Sequence, residues 1–175
     1  LWESFFDESG EEYFKKAKKI FDKNFSYFKL MDRKNIYAVM QTFCLKKAES
    51  GNDYFNKILL SIMLEMLSRK VVSHREGIIN LNLYRNVLIM CFRENETAMM
   101  KKFIDEYINL ISEESRESML VYSNAHLNFL EGNFKMSLQL CNKINFTDLL
   151  ISTNENLFFK NDVRALTLRF IHLNV

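Results

Sequence analysis

The feature that most limits how this chain can fold is its shortage of punctuation. Proline is absent, and glycine stands only at Gly10, Gly51, Gly77 and Gly132 in 175 residues. A β-sandwich or barrel needs a turn every 8–12 residues or so, commonly made with Gly and Pro, and this chain does not supply them. Long helices joined by a few tight corners need far fewer. With 48% hydrophobic residues the chain can bury a sizeable interior, and with 26% charged residues it keeps a wetted surface.

Apolar spacing supports an all-α reading. Phe14, Ala17, Phe21, Phe25 and Phe28 recur at steps of three or four, predicting a helix from Glu11 to about Lys29. A second helix, carrying Ile36, Val39, Met40 and Phe43, is expected after Asp32 as N-cap and is closed at Gly51. The clearest stripe follows: Phe55, Ile58, Leu59, Ile62, Met63, Met66 and Leu67, with Asp53 as the expected cap. Val71–Asn80 reads as a loop, and a fourth helix covers Leu81 to Phe92 or Arg93. A fifth carries Ala98, Met99, Phe103, Tyr107, Ile108 and Ile111. Ser112–Ser115 reads as a polar turn before a sixth helix over Arg116–Glu131. A seventh holds Phe134, Leu138, Cys141 and Ile144, and a less regular stretch spans Asn145–Lys160. Asp162 is expected to cap a last helix containing Val163, Leu166 and Phe170.

The sharp corners fall at Gly51, Asn95 and Gly132, intervals of 44 and 37 residues. Corners at that period between amphipathic helices mark stacked helix pairs. The expected architecture is a right-handed stack of antiparallel helix pairs, an α-α superhelix of about 7–8 helices. Its units fall at about 33–71, 81–111 and 116–145, with half units at 11–29 and 162–175. Residues 1–175 would form a single repeat region cut from a longer protein, with apolar faces left uncovered on the outer helices.

Ala125, then Gly132, Phe134 and Ser137, resembles the tetratricopeptide repeat, which places a small residue in its first helix, Gly at the corner, then an aromatic and a small residue. Gly51-Asn52-Asp53-Tyr54-Phe55 repeats that corner more loosely. The tryptophan and terminal proline of the pattern are absent, so the units are degenerate, TPR-like ones. Phe103–Tyr107, Asn124–Ser137 and Phe158–Leu166 together resemble a group of uncharacterised bacterial TPR-like proteins. The resemblance covers about the last 95 residues; it implies the fold and a binding role and brings no catalytic residues.

Chemistry-bearing motifs are lacking. His74, His126 and His172 are single and widely separated, with no metal-ligand spacing around them, and His126 reads as a packing or surface residue. Phosphate-loop and nucleophile-elbow glycine patterns do not occur. Cys44, Cys91 and Cys141 sit among apolar neighbours about fifty positions apart, as expected of buried, reduced thiols in a cytoplasmic protein. No apolar run approaches the roughly 20 residues of a membrane span. The chain is therefore expected to be no enzyme, to need no cofactor and to hold no metal.

The expected function is a protein-interaction scaffold whose concave surface takes a partner's peptide or helix. First helices of the pairs line that surface. They offer Tyr37, Gln41, Tyr84, Arg85, Tyr122, Asn124 and Asn128 as groove residues, although the tyrosines serve equally well as filler between helices. The sixteen phenylalanines, at helical spacing, read as core. A nucleic-acid-binding repeat is the rival, motivated by Lys15, Lys16, Lys18, Lys19 and Lys23 and opposed by the balance of 24 basic against 22 acidic side chains. The sensor or regulatory segment of a larger protein is a third reading.

Overall fold

A computed structural model describes residues 10–71, 78–149 and 153–173. Among them are eight α-helices and no strand: α1 (Gly10–Lys23), α2 (Leu30–Glu49), α3 (Tyr54–Ser68), α4 (Leu81–Arg93), α5 (Thr97–Tyr107), α6 (Glu113–Leu130), α7 (Phe134–Cys141) and α8 (Thr153–Leu173). The chain divides into two compact units, Leu1–Val72 and Ser73–Val175. No described helix is long and apolar enough to cross a membrane. His74 and most of the expected Val71–Asn80 loop lie outside the described residues.

Four helices end in one and the same way. After α2, α3, α4 and α6 the chain passes through a positive-φ residue: Gly51 (95°), Lys70 (54°), Asn95 (57°) and Gly132 (79°). In each case the next N–H reaches back five residues, Asn52 to Lys47 O, Val71 to Met66 O, Glu96 to Cys91 O and Asn133 to Asn128 O, at 2.8–3.1 Å. The paired bond three residues back is also present, from Gly51 to Ala48 O and from Gly132 to Phe129 O, for example. This is the Schellman closure, which satisfies the last carbonyls of a helix while turning the chain. It sets the antiparallel pairs α2/α3, α4/α5 and α6/α7.

The first unit is built around rings. Phe14 of α1 stacks on Phe43 of α2 at 4.8 Å, and Phe55 of α3 closes edge-on against both. The α3 stripe is buried nearly as spaced, with Leu60 added and Ile58 half-buried. On α2 the buried face is Tyr37, Met40, Phe43 and Cys44, rotated from the Ile36/Val39 face expected, because Tyr37 goes inside. Ala17 is exposed, and α1 ends at Lys23 with a short 3-10 turn over Phe25–Tyr27. Neither expected acidic cap operates: Asp32 lies inside the first turn of α2, and Asp53 makes no side-chain capping bond.

In the second unit Asn80 caps α4, its side-chain oxygen accepting from the N–H groups of Asn82 and Leu83 at 2.9 and 3.3 Å. The expected Ser112–Ser115 turn is the cap and first turn of α6, where Glu113 and Glu114 complement the helix dipole. Close packing of α6 on α7 depends on small residues: Ala125 is fully buried, and Ser137 donates to its carbonyl at 2.7 Å. The last helix begins at Thr153 and not at Asp162, which moves Asp162 from a cap into mid-helix.

Candidate binding site

Two features of the second unit stand out as built: a buried polar cluster and an open hollow. The cluster joins α4, α6 and α8. Arg85 holds Asp162 by two points, Nε to Oδ2 at 2.5 Å and Nη2 to Oδ1 at 2.7 Å. The Tyr122 hydroxyl donates to the same carboxylate at 2.6 Å. Tyr122 is fully buried, and desolvation together with the Asp162 charge drives its hydroxyl pKa well above the usual range, so it stays a donor. Burial opposes the charge on Arg85, but the Asp162 carboxylate outweighs it and the guanidinium pKa rises. Phe159 packs on Tyr122 at 5.2 Å and shields the pair.

The hollow lies where the α6–α7 corner faces α8. It is open, with a volume of about 690 Å³, and is lined by Asn128, Gly132, Asn133, Phe134, Lys135, Met136, Gln139 and Phe170. Its apolar side is held firmly, since Phe134 sits edge-on to Phe129 at 5.0 Å. Met136 is 49% exposed, and Lys135 and Gln139 stand in solvent at the rim. The Asn128 side-chain amide donates to Asn124 O at 2.8 Å, and its backbone carbonyl accepts from the Asn133 N–H at the corner.

The seven residues expected in a groove divide accordingly. Asn128 lines the hollow, and Asn124 is half-buried one turn away, orienting it. Tyr37, Tyr84 and Tyr122 are corrected: each is fully buried and offers no ring to a partner. Their hydroxyls explain why the helices bury tyrosine and not phenylalanine, since each has an internal acceptor. Tyr37 donates to Glu65 at 2.7 Å. Ser123 spends its hydrogen on Met119 O, so Tyr84 donates to Ser123 Oγ at 3.2 Å. Arg85 is engaged with Asp162, and Gln41 turns its amide to the sulfur of Met66 on α3. Reading from spacing missed Met136, Gln139 and Phe170. Their signal was available: Met136 and Gln139 fall on the side of α7 away from Ser137 and Cys141.

The groups with potential for chemistry are muted. All three cysteines are buried and free, and burial pushes the Cys44 and Cys91 thiols up to about 12. Among the described residues no group of three His, Cys, Asp or Glu is placed to share a metal ion. The basic face of α1 is partly neutralised. Lys16 pairs with Glu12, and Lys18 bridges Asp22 and Glu65 at 2.6 and 2.7 Å. Arg69 joins the same two carboxylates at 3.1 and 3.0 Å. No protein-family model matches the chain, and no curated protein or solved structure matches it either.

Proposed function

We propose that this chain is a non-catalytic, TPR-like protein-interaction scaffold acting in the cytoplasm, and that a peptide or helix of its partner seats in the hollow between the α6–α7 corner and α8. The observation that carries the reading is the hollow itself: about 690 Å³ of open space beside a rigid pair of rings, with a half-exposed Met136 and polar rim groups. Apolar floor and polar rim together suit an inserted side chain flanked by backbone hydrogen bonds. The Ala125, Gly132, Phe134 and Ser137 arrangement supports the TPR-like part, since each of the four performs the packing or turning that such a corner requires. Free, buried thiols support a reducing compartment.

Selection from a displayed peptide library tests it. Enriched peptides should bind the protein and lose at least about tenfold in affinity to the Met136→Glu variant, a loss of about 1.4 kcal/mol. The substitution is at a half-exposed position, so the fold is expected to persist, checked by circular dichroism. No enrichment over a scrambled library, or binding indifferent to Met136→Glu, overturns the reading.

A further inference from the structure

A second, smaller cavity opens where α4, α6 and α8 converge. Its volume is about 100 Å³, and its lining includes Phe92, Arg93, His126, Asp162 and Arg169. That is well below the roughly 300–1,000 Å³ of pockets for drug-sized ligands and suits an ion of a few atoms.

Its chemistry is unusual in combining cations with a bare acceptor. His126 is 1% exposed. Its Nδ1 lies 2.9 Å from Tyr122 O; a carbonyl only accepts, so Nδ1 carries the hydrogen and Nε2 keeps a lone pair. Nε2 makes no hydrogen bond among the described residues, so its lone pair is available to a donor that enters the cavity. Desolvation, reinforced by the charges of Arg85 and Arg169, lowers the His126 pKa and keeps the ring neutral. Arg93 and Arg169 are exposed, and neither joins an ion pair among the described residues; Arg169 is steadied over the Phe92 ring at 5.2 Å. The Asp162 charge is offset by Arg85, which pairs with it at two points, so the charges of Arg93 and Arg169 are left over.

An ion that satisfies this lining must present negative oxygens to the two guanidinium groups and a hydrogen to Nε2. A fully deprotonated oxyanion meets the arginines but sets its lone pairs against the imidazole. Phosphate retains a hydroxyl at neutral pH, and sulfate has none.

We infer that this cavity is a binding site for a small hydrogen-bearing oxyanion of the inorganic phosphate class, gripped by Arg93 and Arg169 and read by the His126 Nε2 acceptor. The site is separate from the partner hollow, and it stands whether or not a peptide binds there.

The test is calorimetric titration of the protein with sodium phosphate and with sodium sulfate at pH 7 and matched ionic strength, with nitrogen-detected imidazole resonances followed in parallel. Phosphate should bind saturably, and sulfate at least about tenfold more weakly, the size of one hydrogen bond to a charged group. Arg93→Gln and Arg169→Gln, both at exposed positions, should each weaken phosphate by about tenfold. The Nε2 resonance of His126 should move with phosphate and stay put with sulfate. Absence of saturable phosphate binding, equal affinity for the two anions, indifference to both arginine variants, or a static Nε2 resonance overturns the assignment.

Discussion

Arg85 of α4 and Asp162 of α8 stand 77 residues apart in the chain and meet as a two-point ion pair at 2.5 and 2.7 Å. With side-chain exposures of 16% and 14%, both are largely out of water. Removing one partner therefore leaves an uncompensated charge. Asp162→Ala strands both Arg85 and the Tyr122 hydroxyl, and should cost about 2–4 kcal/mol, slightly under the ~3–5 of fully buried pairs. Urea unfolding checks it. The double variant Arg85→Met with Asp162→Leu should recover a large part of the loss, since an apolar pair leaves no charge behind.

The buried tyrosines separate in the same measurement. Tyr122→Phe removes a hydrogen bond to a carboxylate and should lower stability by about 1.5–3 kcal/mol, whereas Tyr84→Phe removes one to a neutral serine and should cost about 0.5–1.5. Were these rings contacts for a partner, both substitutions would leave the unfolding midpoint where it is.

Backbone strain at the helix ends makes opposite predictions at two corners. Gly132 holds φ at 79°, and a Cβ there would meet nothing within 4 Å. Gly132→Ala should thus cost only the left-handed penalty, about 1–2 kcal/mol. Lys70 already bears that penalty at φ 54° on an exposed position. Lys70→Gly should raise stability by about 0.5–1 kcal/mol, net of the extra freedom glycine gains in the unfolded chain. Thermal melts of the two variants should move in opposite directions.

Local signals made the corners and the α3 stripe legible. Gly51, Asn95 and Gly132 are residues that tolerate positive φ, and α3 has too few polar interruptions to be read otherwise. Lys70 closes its helix identically but was silent, because lysine has no preference for that conformation; it lies between the buried Met66 and Val71, whose backbone bond closes the turn. Asp162 misled for a different reason. A lone acid before Val163 and Leu166 looks the same whether it caps a helix or pairs with a distant guanidinium, and its partner lies in α4. The tyrosines were ambiguous because a phenol carries an apolar body and a polar tip; which end decides depends on an acceptor supplied by another helix, such as Glu65 for Tyr37. Of the expected groove, only Asn128 lies at the hollow, since spacing along α6 could not show where α8 would come to rest.

The same α8 contact makes His126 a gauge of acid sensitivity. Burial, then the neighbouring charges of Arg85 and Arg169, depress its folded-state pKa below 6.5, with its bond to Tyr122 O and the Asp162 charge acting the other way. For a base held neutral in the fold, the unfolded chain binds the extra proton. Stability is thus fully present above about pH 6.5 and falls as pH drops through that value toward the depressed pKa, by at most about 1.4 kcal/mol per pH unit from this one group. His126→Gln removes the titration while keeping a polar side chain. Unfolding free energies measured from pH 7.5 to 5.5 should slope downward in the parent protein and flatten in the variant. Equal slopes in the two would mean that His126 takes up its proton as readily in the fold as in the unfolded chain, contrary to the lowered pKa described above.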